Sequence, residues 1–345
     1  MKDLLKNHWY LALPSAHLKI NKMVSLEIMG EPILFFRKSN GEISAICDIC
    51  PHRGIPLKFG RVVNDQVECP YHGWKFDGGG VCRDIPSLTS EQKLDCTKIK
   101  IKSYSLRELY GGIWIFIGDN DFDQSLAPQP PLFAGIPLDA KPQLCEVVLF
   151  PCHIDHAVIG LMDPAHGPFV HQSWFWRSTK SIHEKRKQFG PVPFGFQMKR
   201  HEPSKNSKAY RILGGEPTTE ITFQIPGTRV EHVQVGEKSF YSLTALMPLG
   251  ENKTQVVQMA FWNIGWLSLA KPLVKQFGRT FLGQDLDAVT KQQEGLKYDP
   301  TLMLINDSDT QAKWYFALKK EWQESSEQKR AFANPVKDTT LSWKS

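Results

Sequence analysis

Two short segments constrain this chain more than anything else in it: Cys50-Pro51-His52-Arg53-Gly54 and Cys69-Pro70-Tyr71-His72-Gly73. Each sets a thiol and an imidazole within three residues of one another, beside a Pro and ahead of a Gly, so each reads as a tight turn. Residues 53 to 68, sixteen in all, separate the pairs. Two such turns projecting from a β scaffold can clamp one small inorganic centre, and the first third of the chain must then fold around that clamp. The flanking residues agree. Met23 to Arg37 and Ile43 to Cys47 flank Ser39-Asn40-Gly41, an Asn-Gly hairpin signal. Trp74-Lys75-Phe76 runs into Asp77-Gly78-Gly79-Gly80, a second turn, and Lys98 to Lys102 alternates as a half-buried strand does. No helical period interrupts this region, so residues 1–118 read as an all-β domain.

The donor types suggest which centre. Two thiolates on one iron of a [2Fe–2S] cluster and two neutral imidazoles on the other make a Rieske centre, whose potential lies well above that of an all-Cys cluster. Spacing alone leaves a rival open: Cys47, Cys50, Cys69 and His72 would pass as a zinc ribbon of the Cys3His type. Zinc leaves His52 idle and gives no reason for the doubled Cys-Pro-(x)-His pattern. Cys47 is then expected to be a buried structural thiol. Seven cysteines, an odd number, in a chain whose opening Met1–His8 has no signal-peptide core, point to reduced thiols and, by default, to the cytoplasm.

These two loops, with Trp74-Lys75-Phe76 following the second, resemble those of the Rieske non-heme iron oxygenases, and the likeness covers about the first third of the chain. It implies that Cys50, His52, Cys69 and His72 hold the [2Fe–2S] cluster.

A second constellation is Asp163-Pro164-Ala165-His166-Gly167-Pro168-Phe169-Val170-His171. Two imidazoles and a carboxylate on one face of Fe(II) form a facial triad with positions left open for O2 and substrate. His166 and His171 are five apart and would not share a face of a straight helix, so Pro168 is expected to break it and let His171 swing back. His153, Asp155 and His156 lie close by and read as outer hydrogen-bond partners. The stretch resembles the iron-binding segment of the same family. By that likeness His166 and His171 are iron ligands, and Asp163 links the mononuclear site to a Rieske histidine of a neighbouring subunit, here His72. Many members carry Asn three positions before that Asp; this chain has Gly160. The third ligand comes in the family from a later helix, and Phe281-Leu282-Gly283-Gln284-Asp285-Leu286-Asp287 resembles that segment, with Asp285 in the matching place and Asp287 as the fallback.

The fold class expected is α+β: the all-β Rieske domain (1–118), a proline-rich linker (119–143), and a catalytic domain (144–345) of helices and antiparallel strands, helix-grip-like by the resemblance. Glu220 to Val235, Ser239 to Met247 and Thr254 to Trp262 read as strands. Leu273 to Leu296 reads as a long helix, and a last helix starts at Ser308 or Asp309. Trp176 and Trp262 read as core.

Composition excludes several classes. Charged residues are 23% and hydrophobic ones 41%, ordinary for a globular chain, so disorder is out. No apolar run reaches transmembrane length. The net charge of +6 is spread along the chain, unlike the one-sided footprint of a nucleic-acid binder; its dense run, Lys180 to Lys187, reads as a solvated face. No Gly-x-Gly-x-x-Gly follows a strand and no plant-type ferredoxin cysteine run is present, so electrons must come from separate proteins, a ferredoxin or flavin reductase drawing on NAD(P)H. The resemblance implies an oxygenase, shorter than ring-dioxygenase α subunits, that uses O2 to hydroxylate or oxidatively demethylate a small aromatic or cyclic substrate, working as a homotrimer. A Rieske electron carrier without a second iron, and a zinc-ribbon interaction protein, are the alternatives. The substrate itself is not legible.

Overall fold

A computed structural model describes residues 4–119, 122, 127–172, 179–203 and 215–345. The fold is α+β. Within residues 4–118 the described helices are single 3-10 turns, and the strands form three small sheets. The Asn-Gly signal makes its hairpin: Glu31–Arg37 pairs with Ile43–Cys47, with Gly41 at a φ of +89°. Met23 to Arg37 is not one strand, because Met29 and Gly30 both take positive φ and turn Met23–Ile28 back onto Glu31–Arg37. A four-stranded sheet (Arg61–Val63, Gln66–Glu68, Lys75–Phe76, Cys82–Asp84) carries the second Cys/His turn. Under both turns lies a core of Leu34, Phe36, Ile46, Leu57, Val67 and Phe76, all fully buried.

Lys98 to Lys102 does not form the expected strand. Lys98 ends a 3-10 turn, and the extended remainder divides its backbone bonds between two sheets: Cys82 N–H and Ile101 N–H bond across to Ile99 and Gly80, while Cys47 N–H reaches Lys102. Its apolar side chains still pack inward, which is why it alternates. Cys47 is half-buried rather than buried, and all seven cysteines are free.

The second half is built on one antiparallel sheet of eight strands, in the spatial order Leu144–Phe150, Lys253–Trp262, Lys238–Gly250, Thr228–Val235, Thr218–Gln224, Gly195–His201, Glu184–Val192, Thr339–Lys344. Glu220 to Val235 is two of these strands, broken where Ile225-Pro226-Gly227 turns the chain, because Pro226 offers no N–H to continue a ladder. The basic run enters the sheet at Glu184, exposing Arg186 while Lys185 and Lys187 are half-buried, so only part of it is a solvated face.

Each face of the sheet has its own cover. On one, Leu243, Val257, Met259 and Phe261 meet Trp9, Leu11, Trp114 and Phe116 of the N-terminal strands, and each such aromatic contributes about 1.5–3 kcal/mol on burial. Described residues of 119–143 are packed down here: Trp9 Nε1–H donates to the Pro128 carbonyl at 2.9 Å, and Phe133 and Ile136 are buried. On the other face lie α1 (Ile154–Met162), α2 (Gly167–Val170), α3 (Gly265–Leu269), α4 (Lys271–Leu296) and α5 (Thr310–Glu327). Asp309 stands at the N-cap of α5, but its carboxylate accepts from Ile305 N–H instead of capping the helix. Trp262 is core, its indole donating to Ser268; Trp176 lies outside the described residues. No helix among the described residues is long and apolar enough to cross a membrane.

His8 is fully buried, with its rings' neighbours Phe194 and Trp322 set edge-on, and burial lowers its pKa to about 3, offset only slightly by its bond to Trp9 N–H. The unfolded chain binds that proton near pH ~6.5. Between the two values the unfolded state holds a proton the native state does not. Stability is therefore complete above about pH 6.5 and falls as pH drops toward 3, by ~1.4 kcal/mol per pH unit from this group. Denaturant titrations between pH 6.5 and 4.5 are expected to show a flatter profile for His8→Leu; identical slopes would refute the assignment.

Candidate metal centres

The two Cys/His loops are one turn used twice. In each, the Cys N–H donates to the carbonyl five residues on, Cys50 to Ile55 at 3.0 Å and Cys69 to Trp74 at 2.8 Å. In each, the Gly N–H four residues on closes onto the Cys carbonyl, Gly54 at 2.9 Å and Gly73 at 3.1 Å. Both glycines sit at φ +72°, a left-handed conformation that a side chain would strain. The copies face each other, with thiols inward (Cys50 1% exposed, Cys69 3%) and imidazoles outward, the His52 and His72 rings 4.5 Å apart. Burial, reinforced by the Cys69 thiol and opposed by the His52 N–H, pushes the Cys50 thiol up to about 11. Such a thiol ionises at neutral pH only against a bound cation. Trp74 lies flat on His52, with centroids 4.7 Å apart and planes 4° apart, and its Nε1 is buried without an acceptor.

Paired thiols within and paired imidazoles without fit a two-iron cluster, whose ligand pairs sit at opposite ends. A single zinc needs its four donors together; among the described residues Cys47, Cys50, Cys69 and His72 are not such a group, and the one compact triplet of donors lies elsewhere.

That triplet is His166, His171 and Asp285, with one donor atom from each within 4.8 Å of the others. α1 ends at Met162, Asp163 caps its last turn, and a new single-turn helix, α2, begins after His166 and ends before His171. Pro168 therefore starts a helix in its first turn, where its missing N–H costs nothing, rather than breaking one. One turn separates the two rings, and Nε2 of His166 lies 3.0 Å from Nε2 of His171. Asp285 Oδ1 is 3.1 Å from His171 Nε2 and 3.8 Å from His166 Nε2. Metal–nitrogen bonds of about 2.1 Å at right angles put donors about 3 Å apart, so the triplet fits one face of an octahedral ion.

α4 supplies more than Asp285. Gln284 Oε1 meets His171 Nδ1 at 3.0 Å, and Phe281 stacks on the same ring at 3.6 Å. With Gln284 as acceptor, Nδ1 carries the proton and Nε2 keeps its lone pair for a metal. Neither residue has a spacing signature, and both escaped the sequence reading. Asp287, the fallback, points to solvent and pairs with Lys291. Asp163 Oδ1 accepts from Ala165 N–H at 2.6 Å; Oδ2 is 3.6 Å from His166 Nδ1, too far for a hydrogen bond, and that nitrogen is buried and unpartnered. A side chain at Gly160 would meet nothing within 4 Å.

His153, Asp155 and His156 are not bonded to the triplet. Asp155 accepts from Tyr315 Oη at 2.6 Å and from Lys319 Nζ at 2.6 Å, tying α1 to α5, and His153 caps α1 through Asp155 N–H.

The sheet face under α4 carries a polar row. Cross-strand partners Glu146, Gln258, Thr244 and Arg229 share that face, with Ser242 and Glu231 in the next row. Arg229 pairs with Glu231 at 3.1 Å, both largely buried, and Arg279 of α4 reaches Glu146 at 3.0 Å. Gln258 lies 3.7 Å from where a Cβ on Gly278 would stand, and Gly278, Phe281, Leu282 and Asp285 form one stripe of α4. The polar row and the metal triplet thus open onto the same side of that helix.

Residues 8–105 match the Rieske [2Fe-2S] domain model, and residues 151–314 match the vanillate O-demethylase oxygenase C-terminal domain model. The chain is 37% identical over 181 residues to chlorophyllide a oxygenase of Chlamydomonas reinhardtii, covering 51% of this chain and 26% of that protein. It is 36% identical over 138 residues to 4beta-methylsterol monooxygenase of Methylococcus capsulatus, covering 40% and 35%. The matched stretches are thus about a third or less of those relatives' own lengths. Dicamba monooxygenase bound to 3,6 dichlorosalicylic acid shares the fold at a TM-score of 0.73 and 21% identity, over 94% of this chain and 98% of that one.

Proposed function

Because the chain belongs to the Rieske non-heme iron oxygenases, carrying their [2Fe–2S] domain followed by their oxygenase C-terminal domain, we propose that it uses O2 and externally supplied electrons to hydroxylate or oxidatively demethylate a small organic substrate. The observation that carries this reading is the facial geometry of His166, His171 and Asp285 in a chain that also has the doubled Cys/His turn. An electron carrier has no use for the triplet.

In the reading, residues 1–118 hold the cluster through Cys50, His52, Cys69 and His72, residues 144–345 hold iron through the triplet, and 119–143 joins them. When bound there, the cluster would supply single electrons and the iron would supply the activation of O2. The protein's own part is positional. Gln284 holds the proton on Nδ1 of His171, Phe281 fixes the plane of that ring, and α2 sets the spacing of the two imidazoles. The substrate lies on the side of α4 that carries Asp285, where Arg229 orients a carbonyl or carboxylate while the ring or methyl to be oxidised faces the triplet. Asp163 reaches His72 of a neighbouring copy in a head-to-tail homotrimer, and a ferredoxin or flavin reductase delivers electrons to the exposed side of His52 and His72.

Purified protein is expected to be red-brown with three irons per chain, and to take up O2 with a surrogate reductase when given aromatic ethers, N-methyl compounds or sterols bearing such a polar group. Colourless protein holding about one zinc per chain would reject the reading.

A further inference from the structure

We propose that the indole N–H of Trp74 is held as a hydrogen-bond donor to the [2Fe–2S] cluster, and that it sets how readily the cluster takes up an electron. The inference rests on the reading that the Cys50 and Cys69 loops hold that cluster. Trp74 is itself only half-buried, yet its Nε1 is sealed, whereas five buried tryptophans each find an acceptor: Trp9 at Pro128, Trp114 at Leu109, Trp262 at Ser268, Trp322 at Lys6 and Trp343 at Ser345. Trp74 alone among the described tryptophans has its Nε1 sealed from solvent with nothing to donate to. A buried donor without an acceptor is rare, because it forfeits its bond to water and gains none in return.

The position of Trp74 says where the missing acceptor belongs. Its own carbonyl closes the second loop by accepting Cys69 N–H, and its ring is stacked in parallel on His52 of the first loop. It also packs against the core that contains Cys50 and Cys69. The residue therefore spans both halves of the clamp, and what the two halves enclose is the cluster with its sulfurs. Reduction adds negative charge there, and a donor to sulfur stabilises the more negative state, which is a recognised determinant of iron–sulfur potential.

Trp74→Phe keeps an aromatic ring on His52 and removes the donor. In the full-length, cluster-loaded protein, a redox titration followed by circular dichroism is expected to show unchanged cluster content and a midpoint potential lower by ~59 mV, a tenfold loss of electron affinity for a one-electron couple. An unchanged potential in that variant would overturn the proposal. A second measurement needs no variant. In wild-type protein labelled with 15N only at the tryptophan indole, pulsed EPR of the reduced cluster is expected to show a weak coupling to a nitrogen that is not a ligand; its absence would also overturn the proposal. Wild-type protein with no Rieske spectrum at all would instead remove the assignment of the loops, and the inference with it.

Discussion

Asp285→Ala is expected to strip the mononuclear iron from the protein and abolish turnover, while Asp287→Ala leaves both intact. The two residues differ by two positions on α4, and helical geometry turns that into opposite surroundings. Asp285 stands 3.1 Å from His171 Nε2, and Asp287 is 63% exposed with Lys291 as its partner. An exposed pair of that kind contributes ~0–1 kcal/mol, so losing it changes little. Losing Asp285 leaves two neutral imidazoles as the only donors, with no negative charge to offset the dication. Changing a residue that merely supports a ligand costs roughly 10–100-fold in metal affinity or activity, and removing a ligand costs more. Metal analysis should fall from three irons per chain to two, the Rieske spectrum should stay, and O2 uptake should drop by at least ~100-fold. Asp285→Ala protein that keeps three irons and turns over would show that the third donor is another group.

What the sequence disclosed and what it hid divide along physical lines. A cluster ligand has to be one of few residue types at a fixed local spacing, so Cys50/His52 and Cys69/His72 stand out before any fold is known, and the Asn-Gly turn and the period of α4 are equally local. Asp285 needed the family likeness, because the distance between it and His171 in the chain carries no information about their 3.1 Å separation in space. Gln284, Phe281 and Trp74 act through an amide oxygen, a ring face and an indole N–H, chemistry that those residue types perform at countless other sites. Local rules misjudged several places, three of them for reasons that are plain in the backbone. Pro168 sits in the first turn of a new helix, where it is tolerated, rather than inside an old one. Pro226 ends a ladder within what looked like one continuous strand. Lys98 to Lys102 has the alternation of a strand but lies between two sheets and completes neither.

Asp163→Asn is expected to keep both metals bound yet slow the passage of electrons between them by roughly 10–100-fold, the range typical of outer partners of metal ligands. Asn preserves the oxygen that accepts Ala165 N–H at 2.6 Å, so the turn between α1 and α2 and the placing of His166 should survive. It replaces the carboxylate oxygen facing His166 Nδ1, a buried nitrogen with no hydrogen-bond partner among the described residues. Asp163 keeps 31% of its side chain exposed, which leaves it reachable by an imidazole from another copy of the chain, the role we propose for His72. A carboxylate can accept from imidazoles on both sides at once; an amide accepts through one atom and presents an N–H through the other, so one of the two links is lost. Stopped-flow reoxidation of the reduced cluster, in the presence of O2 and a substrate, reads that step directly. Slow reoxidation with three irons per chain is the expected result, and reoxidation at the wild-type rate with both metals in place would mean that electrons cross between the centres without Asp163.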